Sequence, residues 1–448
     1  MHNRRQYGGH ALHAGANGAD THLIVNTREA PGPIGPGASR VPHVTGNHHQ
    51  HSTARAVGPP AANLRDVMSA ANASMLSIEN SLPYLLERGL VTPRSVLEGD
   101  LLIANAARRN RNLRVTRKDG VSYLVKQPDD PTFGGSYTLR REAAFYQFCR
   151  DDPAAAAIGP LLPRLLYFDP ERVLLALELF EEAKQPWRLY TEAAAEKFPA
   201  YVSGALGRAL GLLHQTFRAL DPAAPACAEW LRSDIPWVMQ VHKPGPEVLS
   251  NISPANYQTL RILQTQEDLS QHLDSLRRLW QPQTIIHSDI KSDNVLVMPA
   301  PADAKTAEVR LVDWETVQYG DSAWDVAGAL QDFVLFWVSS MTQGLVSLEE
   351  MVATARYSLI ILQTAVRSLW RGYRASAQLK PDDADALLGR AVRFSAARLI
   401  QSAYEMAMNA QVLPVISVLL LQVSSNLLAD PETGQLQLYG IFQEVPAP

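Results

Sequence analysis

The chain is poor in cysteine, in lysine and in uninterrupted apolar sequence, and each shortage excludes something. Its 448 residues hold two cysteines, Cys149 and Cys227. These lie far apart with no CxxC or Cys/His spacing near either, so neither a zinc module nor a disulfide framework is signalled. A reducing cytosol, hence a cytoplasmic protein, is the expectation. The longest apolar stretch, Val412 to Leu421, contains Pro414 and is about half the ~20 residues that a bilayer core demands. It reads as a buried helix, and no membrane partner is expected. The N-terminus carries charge but no apolar run behind it, which argues against a secretory signal. With 41 basic and 45 acidic residues the formal charge is −4. No net positive field then draws in phosphate backbones, and nucleic acid is not an expected partner. What is present is an apolar fraction of 46%, enough to bury a sizeable core.

The chain divides by pattern. Residues 1–63 are rich in Gly, Pro, Ala, Asn and His and hold eight of the twelve histidines, among them His48, His49 and His51. They bury too little apolar surface to offset roughly 1–2 kcal/mol of backbone ordering per residue, so a disordered tail is predicted. A metal-binding role for the tail is set aside, because ligands on a disordered chain lack a fixed geometry. Residues 64–94 read as a helical lead-in interrupted near Pro83. Residues 95–182 then alternate in short apolar runs, SVLEGDLLIAN, NLRVTRKDGVSYLVKQ and RLLYFDPERVLLALELF, with the helical TLRREAAFYQFCRD between the second and third. Residues 183–448 are mostly helical, broken by a strand-rich island at TIIHSDIKSDNVLV and VRLVDWETV. The expected class is α+β, a small sheet-rich lobe followed by a larger helical lobe, joined near Phe180 to Pro186.

The island carries the chemistry. His287, Asp289 and Asn294 stand in the order H-x-D-x-x-x-x-N, followed by the apolar Val295 to Val297, and Asp313 comes nineteen residues after the asparagine. Phosphoryl transfer needs a carboxylate beside the acceptor hydroxyl and hard oxygen ligands for a Mg²⁺ that bridges phosphates. Asp289 suits the first task, and Asn294 and Asp313 suit the second. Such a spacing can also arise by chance, but upstream Lys126 lies inside the apolar strand YLVKQ, and Glu142 follows sixteen residues later in a helix. A strand lysine aimed at nucleotide phosphates and steadied by a helix carboxylate is the other half of a kinase site. A structural Lys–Glu pair would look the same from sequence. Lysine is scarce here, eight against thirty-three arginines, and its placement inside an apolar strand argues against filler.

Together these residues resemble the aminoglycoside phosphotransferase and choline kinase superfamily, relatives of the protein kinases, over roughly Val96 to Leu330. The resemblance implies a protein kinase-like bilobal fold and an ATP-dependent, Mg²⁺-dependent transfer to a hydroxyl. It implies that Lys126 contacts the nucleotide phosphates with Glu142 paired to it, that Asp289 is the base or hydroxyl-orienting group, and that Asn294 and Asp313 bind Mg²⁺. Asp325 in DSAWDVAGAL would brace the catalytic loop, and the nucleotide base would meet backbone groups around Glu178, Leu179 and Phe180. His214 and His287 sit among apolar neighbours and read as structural.

Several departures mark the small-molecule branch. Asp325 follows Asp313 by only twelve positions, Ser288 stands where regulated protein kinases carry arginine, and Trp314-Glu315 replaces Phe-Gly. Control by activation-loop phosphorylation is therefore not expected. Lys291, two residues after Asp289, is a candidate to stabilise developing charge, with a solvated surface lysine as the alternative. No G-x-G-x-x-G joins the first two strands. ANAARRNRNLRVTRKDG stands there instead, with Arg109 and Arg111 nearest the expected turn as candidate phosphate contacts, or as residues of a solvated hairpin. The acceptor is expected to be a small aminoglycoside- or amino-alcohol-like molecule. The mildly acidic C-terminal end looks like packed helix and loop rather than a carboxylate-lined cleft. The long N-terminal extension, Lys291 and the RRNRNLRV block also look similar to phosphotransferase-like proteins of lanthipeptide-type pathways, which would make the acceptor a Ser or Thr of a precursor peptide. A catalytically silent kinase-like binding module is the third reading.

Overall fold

The computed structural model describes residues 75–106, 111–128, 135–194, 197–250, 252–301, 304–344 and 347–442. The predicted disordered tail over 1–63 and Arg109 lie outside these residues. Alternating apolar residues build a five-stranded sheet of β1 (Leu101–Asn105), β2 (Arg111–Arg117), β3 (Tyr123–Gln127), β4 (Leu165–Asp169) and β5 (Leu174–Glu178) in the order β1-β2-β3-β5-β4. Every neighbouring pair is antiparallel. Because side chains alternate across a strand, Leu113, Val115, Tyr123 and Val125 form one buried face. The lead-in covers that face: helix α1 (Ile78–Glu87) and the chain around it bring Leu76, Tyr84, Leu85 and Val91 into the same cluster. Gln127 reinforces the cover, its amide donating to Leu76 O at 2.6 Å and accepting from Leu76 N at 2.9 Å. The other face of β2 and β3, with Asn112 opposite Lys126, turns toward the second lobe.

Two local expectations change here. Pro83 lies inside α1 rather than interrupting it, because Tyr84 and Leu85 are buried by the sheet and hold the short helix in place. SVLEG is not strand: Pro93–Leu97 is a short helix, α2, with Thr92 accepting the Ser95 N–H at 3.1 Å and Pro93 in its first turn. That N-cap signal prevails over the apolar pattern, and the strand begins only at Leu101. Helix α3 (Gly135–Asp151) then crosses the lobe with Leu139, Glu142, Ala143 and Tyr146 buried.

Past the lobe junction, the linker is tied down by Lys184, whose backbone pairs in both directions with Val297 at 3.0 and 2.8 Å. The helical lobe comprises α4 (Pro186–Glu192), α5 (Ala200–Thr216), α6 (Pro254–Thr265), α7 (Glu267–Leu279), α8 (Ser322–Ser339), α9 (Leu359–Ser376), α10 (Pro381–Met406) and α11 (Val415–Ala429), with short connecting helices. Two small antiparallel pairs lie between α7 and α8: β6 (Thr284–Ile286) with β9 (Gln318–Gly320), and β7 (Val295–Val297) with β8 (Val309–Leu311). Small residues let this lobe close. A Cβ at Gly207 of α5 would stand 2.0 Å from Leu369 O of α9, and one at Gly328 of α8 would stand 2.7 Å from Ile290 O in the loop after β6. The apolar stretch read as one buried helix is divided: Pro414 caps α11, and Val412 before it is 73% exposed. None of the described helices is long and apolar enough to cross a membrane. The architecture is the bilobal α+β arrangement expected from the sequence.

Candidate active site

β3 and α3 place the first half of the site. Lys126 lies on the inner face of the sheet and is almost fully buried, with Nζ 2.6 Å from Glu142 Oε2 and 2.6 Å from Asp313 Oδ1. Burial alone would depress the ammonium, but the two carboxylates outweigh it and hold it above the ordinary lysine range. Glu142 has a second duty, its Oε1 accepting the Trp314 backbone N–H at 3.2 Å. It thereby fixes both the lysine and the chain just after Asp313. Beside Lys126 on the paired strand sits Asn112, whose buried Oδ1 has no partner among the described residues.

The island supplies the second half. Asp289 Oδ2 accepts from Lys291 Nζ at 2.6 Å and from Asn294 Nδ2 at 3.1 Å. Its Oδ1 accepts from Arg398 Nη2 at 3.1 Å. Burial favours the neutral acid, yet the charges of Arg398 and Lys291 prevail and hold Asp289 well below the usual carboxylate range. The contacts of Asp289 thus favour its ionised form, with both carboxylate oxygens acting as hydrogen-bond acceptors. Asn294 Nδ2 also donates to Asp289 O at 2.8 Å, which leaves its Oδ1 as a hard acceptor. Asp313 sits at φ 68°, a left-handed conformation that aspartate tolerates, and its side chain is 39% exposed. Burial would raise its pKa, but Lys126 pulls it below the ordinary value.

A buried scaffold underlies this loop. Asp325, at the start of α8, accepts the backbone N–H of His287 at 2.7 Å and of Ser288 at 2.8 Å. Its Oδ2 also meets His214 Nε2 at 3.2 Å, while His214 Nδ1 meets Tyr373 Oη at 3.0 Å. His287 Nε2 contacts Val312 O at 2.9 Å, joining β6 to β8. Both histidines are thus occupied by buried partners.

At the lobe junction the Leu179 N–H is taken by Ser122 O at 2.9 Å, so it is not free for a ligand. The Glu178 carboxylate turns to Arg164 at 3.0 Å, and the Arg310 guanidinium stands 5.6 Å from the Phe180 ring centroid. Ser122, Glu178, Leu179, Phe180 and Met298 line a cavity of about 400 Å³ there. Arg111 is the first residue of β2.

The profile of a phosphotransferase enzyme family matches residues 101–355, more than half of the chain. The chain belongs to that family. The phosphotransferase is accordingly an ATP-dependent enzyme that acts on a hydroxyl group. Among curated protein sequences nothing matches it. Among solved structures it is similar to the amicoumacin kinase hAmiN, at 13% identity and a TM-score of 0.49, over 81% of this chain and 96% of that one. It is similar also to the choline kinase LicA from Streptococcus pneumoniae, at 14% identity and a TM-score of 0.43, over 77% and 99%. A further likeness is to the aminoglycoside phosphotransferase APH(2'')-Ib, at 12% identity and a TM-score of 0.42, over 78% and 97%.

Sequence reasoning on the phosphotransferase missed two kinds of residue. Arg398 was not singled out, although an arginine in the apolar run FSAARLIQSA was a visible signal. It is buried at 4% exposure, 109 positions from the aspartate it touches. The carboxylates of a cavity beside Asp289 were missed as well. About 320 Å³ in volume, it is walled by Trp187, Leu335 and Met406 and edged by Asp293, Asp332 and Glu405. Glu405 belongs to the C-terminal end that the sequence suggested was packing alone. Burial pushes the Asp332 carboxyl up to about 7, against hydrogen bonds from the Ser292 backbone and the Trp187 indole.

Proposed function

We propose that the protein transfers the γ-phosphoryl group of ATP to the hydroxyl of a small, positively charged, amphipathic acceptor of the aminoglycoside or amino-alcohol kind. The observation that carries this is the cavity beside Asp289, where Trp187, Leu335 and Met406 share the lining with the acidic Asp293, Asp332 and Glu405 and with two cations already paired to Asp289, Lys291 and Arg398, a chemistry suited to an ammonium group on a partly apolar frame. A volume of about 320 Å³ is that of a small-molecule site.

The chemistry assigned to each residue follows from its contacts. Lys126, with Asn112 beside it, would hold nucleotide phosphate oxygens. Asn294 Oδ1 and the exposed side of Asp313 are hard donors that suit Mg²⁺, which would neutralise phosphate charge when bound. Arg109 and Arg111 remain proposed phosphate contacts, and Glu178 and Phe180 proposed neighbours of the nucleotide base. As the acceptor oxygen bonds to phosphorus, the bond from phosphorus to the leaving ADP oxygen breaks, and its electron pair leaves with ADP. The hydroxyl proton passes to Asp289. Lys291, paired with Asp289, would offset negative charge on the moving group.

A second reading, a Ser or Thr of a precursor peptide, has one observation in its favour. Met406 lines the cavity and is 42% exposed, and Met408 at 52% and Trp237 at 45% extend exposed apolar surface in the same lobe. Incubation with labelled ATP, Mg²⁺ and a panel of aminoglycosides, amino alcohols and Ser/Thr peptides tests the proposal. Label on a cationic small molecule is expected. Label on peptides alone would overturn the small-molecule reading, and nucleotide binding with no transfer to any acceptor would favour the silent module.

A further inference from the structure

We infer that Arg398 is a positioning residue of the transfer reaction, fixing the one carboxylate oxygen of Asp289 that is left to receive the acceptor hydroxyl. This rests on the reading of Asp289 as the hydroxyl-accepting group.

Counting lone pairs identifies that oxygen. Oδ2 of Asp289 already accepts two hydrogen bonds, from Lys291 at 2.6 Å and Asn294 at 3.1 Å. Oδ1 accepts one, from Arg398 Nη2 at 3.1 Å. A carboxylate oxygen has two lone-pair sites, so the vacant acceptor position is on Oδ1, beside the guanidinium. Arg398 also grips the loop backbone, Nη2 donating to Ile290 O at 3.2 Å. One guanidinium nitrogen thus holds both the aspartate side chain and the main chain just after it while the other amino group is anchored on Gln401, a two-ended fixation that lysine's single ammonium does not reproduce.

A guanidinium at 4% exposure carries a large desolvation cost, which a packing role alone would not require. Among the described residues the carboxylate it pairs with is that of Asp289, itself 20% exposed at the cleft. The remaining contacts support the aim of the group: Nη1 donates to Gln401 Oε1 at 3.0 Å, and the guanidinium carbon lies 5.4 Å from the Trp324 ring centroid. Its Nε is buried with no partner among the described residues, and the residue lines the acceptor cavity. Gln401 in turn donates to Glu405 Oε1 at 2.9 Å. Residues 398, 401 and 405 share one face of α10, so a hydrogen-bonded rail runs from the cavity's edge to the reacting carboxylate. None of this rail falls within the family match, which ends at residue 355.

The test compares Arg398→Ala and Arg398→Lys with wild type under saturating acceptor. For Arg398→Ala the expected result is a fall in kcat of roughly a hundredfold with the KM for ATP unchanged, as for loss of one oriented group at the reacting centre. Millimolar guanidinium ion should restore part of it. Arg398→Lys, which keeps charge and bulk, guards against a misfolded alanine variant and should give an intermediate kcat. In an Asp289→Asn background, Arg398→Lys should add no further loss. Wild-type kcat in both variants, absence of rescue in a folded Ala variant, or multiplicative loss in the double variant would overturn the inference. If Asp289→Asn alone keeps full transfer, the assignment of Asp289 fails first, and the two failures are thereby distinguished.

Discussion

The carboxylate of Asp325 holds Ser288 in a left-handed backbone conformation, φ 71°, that serine seldom adopts. Trp324 Nε1 grips Ser288 O at 2.9 Å and Gln318 Nε2 grips its Oγ at 2.9 Å, so the strained residue is fixed from three sides. Such strain persists where the surroundings over-determine it. Here it aims the next residue, Asp289.

Asp325→Ala should therefore damage both fold and catalysis. It leaves the buried N–H groups of His287 and Ser288 without their acceptor, at a cost of about 2–5 kcal/mol in all. A fall of several degrees in the thermal midpoint is expected, with kcat lowered more than tenfold. A variant with unchanged midpoint and unchanged kcat would show that the loop is held by other means.

Removing Lys126 exposes a different dependence. Lys126→Met leaves Glu142 buried without its cation, a change of about 3–5 kcal/mol. A titration with Mg·ATP should give weakened nucleotide binding. Pairing it with Glu142→Gln should recover stability but not nucleotide affinity, because only the lysine is assigned to phosphate. Recovery of both would make the pair purely structural.

Asp289→Asn should leave Mg·ATP binding largely intact and lower transfer by several orders of magnitude. Asp313→Asn should instead raise the Mg²⁺ concentration needed for half-maximal rate, and chelation with EDTA should abolish wild-type transfer. A metal-titration curve unmoved by Asp313→Asn would remove that residue from the metal site.

A pH effect on stability follows from Asp332. Burial raises its carboxyl to about 7, so between an unfolded value near 4 and that point the native chain holds a proton that the unfolded chain has lost. Stability from this group is fully present at low pH and falls as pH rises through about 7. Asp332→Asn should flatten the decline, and thermal midpoints at pH 5.5 and 8.5 should lie closer together than in wild type. An equal or steeper decline in the variant would contradict this.

The candidate site was legible in the sequence to the extent that its signals were local. Lys126 is a cation in an apolar strand, and Asp289 and Asn294 stand in one short loop with Asp313 after the next strand pair. Geometry adds what spacing could not: Lys126 touches Asp313 across 187 positions. Arg398 and Glu405 depend on which face α10 turns inward, and Asp332 on which face α8 does, and that is decided by helix-on-helix packing. In the fold, alternation revealed the strands, whereas α2 was hidden because SVLEG carries the apolar content of a strand and only Thr92-Pro93 betrays a helix start. The division at Pro414 was hidden likewise, since apolar residues flank it on both sides.

The cover that Leu76, Tyr84, Leu85 and Val91 place on the sheet bears on where this chain can be cut. A fragment limited to the recognisable region, 101–355, would retain Lys126, Glu142, Asp289, Asn294 and Asp313. It would also bare the apolar face of Leu113, Val115, Tyr123 and Val125 at one end, and at the other it would lose α10 with Arg398. The smallest autonomous unit is thus larger than the family-matched region, and expression of that region alone should yield aggregated protein in place of a minimal kinase.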